Sequence, residues 1–197
     1  MYLKDDRGKN FSSLGNLQLW LAQNHKKLVF AMNGGMYGPD HLPKGLFIEN
    51  GSVQSPLDTS SGSGNFYIKP NGVFYVTADQ IPVICDTKIF RNSGSMKYAT
   101  QSGPMLVIGG QIGSAFTQGS ANVNIRNGVG VLPDNKVVFA ISKVPVNFYD
   151  FANYFKSIGC KNALYLDGFI SRAYIPEKNW MQTDGDFGVI IGISTRE

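Results

Sequence analysis

The stretch Leu28-Val29-Phe30-Ala31-Met32-Asn33-Gly34-Gly35 decides how this chain folds. Its five apolar residues are typical of a strand buried on both faces, and the run ends abruptly at an asparagine and two glycines. Ala163-Leu164-Tyr165-Leu166 repeats this design and ends at Asp167-Gly168. Polar residues at the ends of buried strands stand where the core meets solvent, the usual place of catalytic groups in α/β proteins. We therefore expect Asn33 and Asp167 to face solvent at one edge of a buried sheet.

Two helices and several hairpins surround these strands. Ser12-Ser13 and Asn147 are typical helix caps, and Gly159 ends the second helix. Asn50-Gly51 is a hairpin signal, and residues 66–68 and 73–76 are expected to pair across a turn at 70–72. Further strands are predicted at residues 45–49, 105–108, 128–132, 137–141 and 189–193. We expect one domain over residues 1–197, of the α/β class with α+β character, in which a mixed, mainly antiparallel sheet carries few helices.

Composition excludes several classes of protein. The chain has 197 residues, 43% of them hydrophobic, which is enough for one core. Its formal charge is +4, but the basic residues are scattered apart from Lys26-Lys27, so we expect no nucleic-acid partner and a small anionic substrate instead. With no CxxC pair and only two histidines, the sequence lacks the ligands of a Cys/His zinc site.

The sequence contains no apolar run of about eighteen residues, so stable membrane insertion is not expected. Met1 leads into charged residues from Lys4 to Arg7 rather than into an apolar leader. The chain is periplasmic or secreted if a leader was removed, and cytoplasmic otherwise. No feature of the sequence sets the oligomeric state.

Four junctions combine glycine with polar residues next to an apolar run. Glycine lets the backbone approach a ligand closely, and a strand end holds the neighbouring side chain in place. Each junction alone also contains residues that are common in ordinary turns. The functional hypothesis is therefore that the four junctions converge on one pocket. The residues concerned are Asn33-Gly34-Gly35, Gln101-Ser102-Gly103, Arg126-Asn127 and Asp167-Gly168 with Ser171.

Several of these blocks resemble a known family. The segments FAMNGGMYGPDHLPKGLFIENG (30–51), ATQSGPMLVIGG (99–110), IRNGVGVLPDNKVVFAIS (125–142) and NALYLDGFIS (162–171) look like the bacterial YigE-like branch of the phosphodiester glycosidases, which are related to the lysosomal uncovering enzyme. The resemblance runs in register from about residue 14 to residue 193. It implies the fold of that family and the hydrolysis of a sugar-1-phosphodiester, a small phosphorylated-sugar or glycoconjugate substrate.

The family's motifs match Asn33-Gly34-Gly35, Ser102-Gly103, Arg126 and Asp167-Gly168. Cleavage of a glycosyl phosphate needs donors for the phosphate and a carboxyl group at the anomeric centre. We therefore expect Arg126 to bind the phosphate bidentately and Asp167 to act as base or nucleophile. Asn33 and Ser102 would orient sugar hydroxyls or phosphate oxygens, and Glu49 is the remaining candidate for a general acid.

Plainer roles compete with these assignments. Arg126 would otherwise be a surface residue at a strand edge, Asp167 a turn cap and Glu49 a hairpin residue. No cofactor is certain, although Asp40 and Asp58 offer oxygen ligands to a divalent cation.

Two rival functions follow from the same sequence. The first is a non-catalytic protein that sequesters a phosphorylated sugar or nucleotide, which is favoured by Phe169-Ile170, where the family tends to have glycine and serine. The second is an accessory domain that works through protein contacts, which would expose a broad apolar patch.

Overall fold

The computed structural model describes residues 1–196. Its α-helices are α1 (Leu14–Gln23) and α2 (Phe148–Ser157), and short 3-10 helices span Asn65–Tyr67 and Pro176–Lys178. The strands are β1 (Lys26–Asn33), β2 (Phe47–Glu49), β3 (Ser52–Ser55), β4 (Gly72–Thr77), β5 (Pro82–Asp86), β6 (Met96–Ser102), β7 (Met105–Ile108), β8 (Gln111–Ile112), β9 (Asn127–Val131), β10 (Val137–Ile141), β11 (Asn162–Tyr165), β12 (Ala173–Ile175), β13 (Trp180–Met181) and β14 (Ile190–Arg196).

The strands form three sheets, in the orders β13-β12-β1-β14, β10-β9-β11-β7-β8 and β3-β2-β6-β4-β5. The prediction of few helices on mainly antiparallel strands is confirmed, although three sheets replace the expected one. Each strand pair within residues 1–196 is antiparallel. This agrees with the helix content, because parallel neighbours need long crossover connections that are usually helical.

The three sheets share one part of the hydrophobic core. Met32 of β1, Phe74 of β4 and Leu164 of β11 are buried in a single cluster. Two of these strands, β1 and β11, carry the apolar runs identified in the sequence, so their polar ends emerge side by side from the same packed region.

Both predicted helices are present and begin at the expected caps. The Ser13 hydroxyl accepts the backbone N–H of Asn16 at 3.2 Å, and the Asn147 side-chain oxygen accepts that of Asp150 at 2.8 Å. Such bonds satisfy N–H groups that have no partner inside the helix. In α1 the buried residues are Leu14, Leu17 and Leu21, which form one apolar face of the helix.

The predicted pairing of residues 66–68 with 73–76 is wrong. Asn65–Tyr67 forms a 3-10 turn, and the Asn71 side chain donates to the carbonyl of Phe66 at 3.1 Å instead of forming a hairpin turn. Strand β4 pairs with β5 and β6, neither of which was predicted. Strand β6 has the sequence Met-Lys-Tyr-Ala-Thr-Gln-Ser and lies at the centre of its sheet. Its polar residues do not show the apolar pattern expected of a central strand, so the sequence did not predict it.

Gln101 attaches the segment 46–58 to strand β6. Its side-chain oxygen accepts the backbone N–H groups of Leu46 and Asp58, each at 2.9 Å, and its nitrogen donates to the carbonyl of Asp58 at 2.6 Å. The Gln101 side chain is buried, so these bonds cannot be replaced easily by water. Gln101 therefore holds this part of the fold together.

We expect Gln101→Ala to lower the free energy of unfolding by about 2–3 kcal/mol, because it leaves buried backbone groups without partners. Urea denaturation measures this change. Gln118→Ala is the matched control, since Gln118 is exposed, and it should change stability by less than about 0.5 kcal/mol. Equal effects of the two substitutions would show that the Gln101 bonds contribute nothing.

Candidate active site

Asp167 lies two residues beyond the end of β11, after the buried Leu166. Its backbone N–H donates to the Asn127 side-chain oxygen at 2.8 Å, and its carbonyl accepts the Ser171 hydroxyl at 2.7 Å. The carboxylate accepts the N–H of Gly168, which is the local bond expected of a turn. The backbone of Asp167 is thus fixed without using most of the capacity of its carboxyl group.

Asn33 and Asn127 form a buried pair beside this aspartate. The Asn127 side-chain nitrogen donates to both the carbonyl and the side-chain oxygen of Asn33, at 3.0 and 2.9 Å. The Asn33 side-chain oxygen also accepts the N–H of Arg172 at 3.0 Å. The pair joins the end of β1 to the start of β9. Asn33 is fully buried, so its side chain holds the site together rather than facing a ligand as expected.

Ser102 supports the same strand end from the third sheet. Its hydroxyl donates to the carbonyl of Leu166 at 2.6 Å and is fully buried. The next residue, Gly103, has no room for a side chain, since a Cβ there would lie 2.6 Å from that of Asn71. Ser102 therefore positions the backbone that carries Asp167 and Gly103 allows close packing against Asn71, whereas the sequence suggested contact with substrate.

The glycines of the motifs serve close packing. A Cβ at Gly168 would collide with the hydroxyl of Tyr165, and one at Gly34 would lie 2.6 Å from Ile191. Gly35 is restricted in the same way by Thr100. The absence of a side chain at position 168 is what allows the Tyr165 phenol to approach the backbone next to Asp167.

Arg126 is buried, so it is not the surface residue of the plainer interpretation. Its Nε donates to the carbonyl of Val146 at 2.8 Å, and Nη2 donates to the carbonyl and side-chain oxygens of Asn122 at 2.9 and 3.1 Å. The guanidinium carbon lies 3.6 Å from the centre of the Phe148 ring. These contacts occupy Nε and Nη2, which leaves Nη1 as the remaining donor of the guanidinium. The bidentate phosphate contact expected from the sequence does not fit this arrangement.

Tyr165 connects Arg126 with Asp167. Its ring centre lies 5.6 Å from the guanidinium carbon, and its phenol is within the electrostatic reach of both charged groups. Burial raises the pKa of the phenol far above its usual value, so the hydroxyl stays protonated and can donate. The charges of the Arg126 guanidinium and the Asp167 carboxylate both act on this phenol, in opposite directions on its pKa.

Burial also sets the charge of Asp167. It raises the pKa of this carboxyl group to about 7, and the hydrogen bond from Gly168 opposes the rise only in part. Arg126 loses some of its affinity for protons by the same desolvation, although a guanidinium remains charged at neutral pH. A carboxyl group that titrates near neutrality is suited to proton transfer or to nucleophilic attack.

The Tyr37 side chain lies within electrostatic reach of Asp167, and Tyr37 is itself in contact with His41 and Asp186. The Tyr37 phenol donates to the backbone carbonyl of Asp186, and its pKa is raised by burial and then by the charges of Asp167 and Asp186. The His41 ring stacks on Tyr37 at 5.3 Å and lies 2.6 Å from the Asp186 carboxylate. Through Tyr37, the loop 36–44 lies near enough to Asp167 to be affected by its charge.

Glu49 lies elsewhere, next to the amino group of Met1. Burial raises the pKa of Glu49, and the charge of that amino group opposes the rise. Glu49 lines a cleft with Leu3 and Gln54, and Asn33, Arg126 and Asp167 are not among its lining residues. The structure does not bring Glu49 together with Asp167. The side chain of Gln101, which was expected to contact substrate, forms the hydrogen bonds to the backbone of Leu46 and Asp58 described above.

A large cavity is separate from these residues. It measures about 520 Å³ and is lined mainly by apolar side chains such as Phe30, Phe139 and Trp180, but not by Asn33, Arg126 or Asp167. This cavity therefore does not coincide with the hydrogen-bonded strand ends that form the candidate site.

Within residues 1–196, no three His, Cys, Asp or Glu side chains gather as metal ligands. Asp58 bonds Ser60 and Tyr67, and Asp40 bonds the N–H of Leu42, so each carboxylate already has protein partners. A divalent cation stays a prediction of the sequence. No helix in the described part of the chain has the length and apolar character to span a membrane.

The sequence analysis missed Tyr165, Tyr37 and Asp186. Tyr165 precedes Asp167 by two residues, and alternate residues of an extended chain face the same side, so this signal was present. Tyr37 belongs to the Asn-Gly-Gly motif. Asp186 comes from a loop that has no local signature.

We expect Asp167→Asn to stabilise the protein as the pH rises. Between pH 4 and 7 the unfolded chain loses the Asp167 proton while the folded chain keeps it, so the free energy of unfolding falls. Asparagine removes this fall. In urea denaturation the variant should match the native chain at pH 4 and exceed it by about 2 kcal/mol at pH 8, a value reduced for partial solvent exposure.

Asp134→Asn is the control, because the Asp134 carboxylate is exposed and paired with Lys136 at 2.7 Å, and it should give no gain at pH 8. A parallel pH dependence of stability in the native and Asp167→Asn proteins would contradict the raised pKa.

The chain is similar to several known proteins. The sequence profile described as phosphodiester glycosidase matches residues 26–189. An uncharacterized Escherichia coli K12 protein, YigE, is 41% identical over 169 residues, which are 84% of this chain and 66% of that protein, just under two thirds of its length.

Solved structures agree with this likeness at the level of the fold. One is the catalytic domain of zebrafish N-acetylglucosamine-1-phosphodiester alpha-N-acetylglucosaminidase, auto-inhibited by its pro-peptide. The TM-score is 0.61 at 17% identity, and the match covers 98% of this chain and 81% of the zebrafish chain. A hypothetical protein from Synechocystis has a TM-score of 0.56 at 13% identity and covers 93% of this chain and 54% of its own. The profile match, which spans most of the sequence, establishes that this chain belongs to the phosphodiester glycosidase family.

Proposed function

We propose that the chain hydrolyses a sugar-1-phosphodiester, with Asp167 acting as base or nucleophile at the anomeric carbon. Membership of the phosphodiester glycosidase family supports this reaction class. The single observation that carries the proposal is the carboxyl group of Asp167, whose pKa is raised to about 7 by burial where ends of strands from three sheets meet.

The donors around Asp167 suit an anionic substrate. Arg126 contributes positive potential and its Nη1 group, and Tyr165 contributes a protonated phenol. Donors that are already fixed need no rearrangement when charge develops on the phosphate oxygens. Arg126 would thus hold the phosphate through one nitrogen, with Tyr165 as the second donor.

The positioning residues explain the rest of the motif. Asn33, Ser102 and Asn127 hold the backbone beside Asp167, so they act on the reaction through that aspartate. Since a phosphate is a good leaving group, the reaction needs no strong general acid. This is consistent with the remote position of Glu49.

We expect product from a panel of sugar-1-phosphodiesters and nucleotide sugars, measured as released sugar. Asp167→Asn should lower kcat/KM by about a thousandfold, and Tyr165→Phe, which removes only a hydroxyl, by about tenfold. Asp134→Asn should leave the rate unchanged, because Asp134 is exposed in the turn between β9 and β10. Full activity of Asp167→Asn would remove this residue from the mechanism.

We expect kcat/KM to rise with pH and to level off above about 7, because a base or nucleophile must be ionised and burial raises the pKa of Asp167 to about 7. The profile should be recorded under kcat/KM conditions, since these report the free enzyme. A rate that falls through the same range would assign Asp167 as an acid and reject the role proposed here.

A non-catalytic binding protein is the second candidate. Phe169 is 89% exposed next to Asp167, while Ile170 packs against the core cluster of α1. An exposed aromatic ring beside the site favours retention of a ligand by stacking. Stoichiometric capture of an unaltered probe from the same panel, with no released sugar, would identify this function.

A further inference from the structure

Strand β10 lies at the edge of its sheet and pairs only with β9. Next to this pairing, Ser142 donates its N–H to the carbonyl of Arg126 at 2.8 Å, and Lys136 accepts the N–H of Leu132 at 2.9 Å. In an antiparallel ladder such bonded positions alternate with positions whose N–H and C=O groups point away from the neighbouring strand. Every second residue of β10 therefore directs its backbone groups outward.

The residues with outward groups are Val137, Phe139 and Ile141, which lie one position away from the bonded ones. Within residues 1–196 their outward N–H and C=O groups have no hydrogen-bond partner. Edge strands are usually protected from other chains by charged residues, proline or bulges. Strand β10 has the sequence Val-Val-Phe-Ala-Ile and pairs with β9 without a register shift, so it carries none of these protections.

The large apolar cavity runs along this free edge. Phe139 and Ile141 pack against the core cluster shared by the three sheets. Ala140 packs on the opposite face, against the cluster that contains Phe151 of α2. Residues from both faces of β10 line the cavity, which therefore lies beside the edge of the strand and not over one face of its sheet. Helix α2 forms one wall of this groove, and the sheet of β1, β12 and β13 forms the other.

The groove can accommodate apolar side chains. Its volume of about 520 Å³ lies within the range of about 300–1,000 Å³ that is typical of ligand pockets. Phe30 and Trp180 contribute rings to its lining, and Val144 and Tyr154 at its border are 62% and 46% exposed. A peptide that adds a strand to a free edge gains main-chain hydrogen bonds and places alternate side chains in such pockets.

One end of the groove is positively charged. The Lys143 Nζ lies 5.6 Å from the centre of the Trp180 ring, and Lys178 precedes Trp180 by two residues. Within residues 1–196 neither lysine forms an ion pair. Asp150, the acidic residue of the lining, accepts a hydrogen bond from the Asn147 side chain at 2.9 Å. A carboxylate at this end of a bound peptide would therefore meet two unpaired ammonium groups.

We propose that β10 accepts an extended peptide segment of another protein as an additional strand. The peptide bonds the outward backbone groups of Phe139 and Ile141 and places alternate apolar side chains in the groove. It also presents a carboxylate to Lys143 and Lys178. This interaction is independent of the proposed hydrolysis, because none of the hydrogen-bonded strand ends at Asp167 lines the groove.

The probe is a fluorescein-labelled peptide of alternating threonine and valine that ends in two glutamates, residues that favour an extended strand and match the charge of the groove. Its binding to the native chain is followed by fluorescence anisotropy. In the control peptide each threonine and valine nitrogen is methylated, so that it cannot donate to β10. We expect the unmodified peptide to bind at least about tenfold more tightly than the methylated one.

A double variant tests the charged end. Lys143→Glu with Lys178→Glu should weaken the unmodified peptide by about tenfold or more, because like charges then face its glutamates. Lys156→Glu with Lys161→Glu is the matched control, since it changes the net charge equally at two exposed lysines outside the groove. This control should change the affinity by less than about twofold.

Amide hydrogen exchange in the native chain tests the edge itself. With saturating peptide, the N–H groups of Phe139 and Ile141 should exchange at least about tenfold more slowly, because strand pairing protects them. The N–H groups of Val138 and Ala140 are the internal reference, since β9 protects them without peptide.

The proposal would be overturned by equal binding of the two peptides, by equal effects of the two double variants, or by binding that leaves Phe139 and Ile141 unprotected. Absence of binding at about 1 mM of the unmodified peptide would also reject it. Protection of Phe139 and Ile141 without peptide, in a chain that sediments as a dimer, would assign the edge to a second copy and reject the peptide.

Discussion

The side chain of Asn127 is the interaction on which the site depends. Its nitrogen donates to two oxygens of Asn33, and its oxygen accepts the N–H of Asp167. One buried amide thus connects the sheet that contains β1 with the strand end that carries the carboxyl group. Buried polar groups need such partners, and because each partner here is itself fixed by a sheet, the position of Asp167 is set by three-dimensional packing and not by its own loop.

This arrangement explains why the site tolerates an unpaired carboxyl group. Within residues 1–196 no Lys, Arg or His forms an ion pair with Asp167, and burial alone disfavours its charge. Burial of this carboxyl group lowers the free energy of unfolding, and the packing of the strand ends compensates for that loss. Active sites commonly trade stability for function in this way. Arg126 is also a buried charged group, and two carbonyl groups and the Phe148 ring hold its guanidinium away from bulk water.

The positions of the main strands and helices were predictable because β1, β11 and both helices follow strong local rules of periodicity and capping. Strand β6 was not, since its burial comes from neighbours on both sides and its own residues are largely polar. In the site, the convergence of Asn33, Asn127 and Asp167 could be expected from their junctions. Their hydrogen-bond partners could not, because these depend on register between distant strands.

Arg126 and Glu49 show the same limit of local sequence. The direction of the Arg126 guanidinium is determined by Asn122 and Val146, which reach it from two loops with no recognisable motif. Glu49 has a carboxyl group that could act as a general acid. However, β2 pairs with β6, and Glu49 lies beside the amino group of Met1 in the cleft that it shares with Leu3.

The buried amide pair also has a chemical consequence for the lifetime of the protein. Asn33 and Asn127 both precede glycine, the sequence in which asparagine deamidates most readily through attack by the next backbone nitrogen. Both lie in extended strands with their side chains fully bonded, which keeps them from the cyclic geometry of that attack. In the exposed Asn50-Gly51 turn, the Asn50 side chain is held by a single bond, from the Tyr98 hydroxyl at 2.8 Å. As the protein ages, deamidation should therefore occur at Asn50 in the surface hairpin long before it converts Asn33 or Asn127 to an acid next to Asp167.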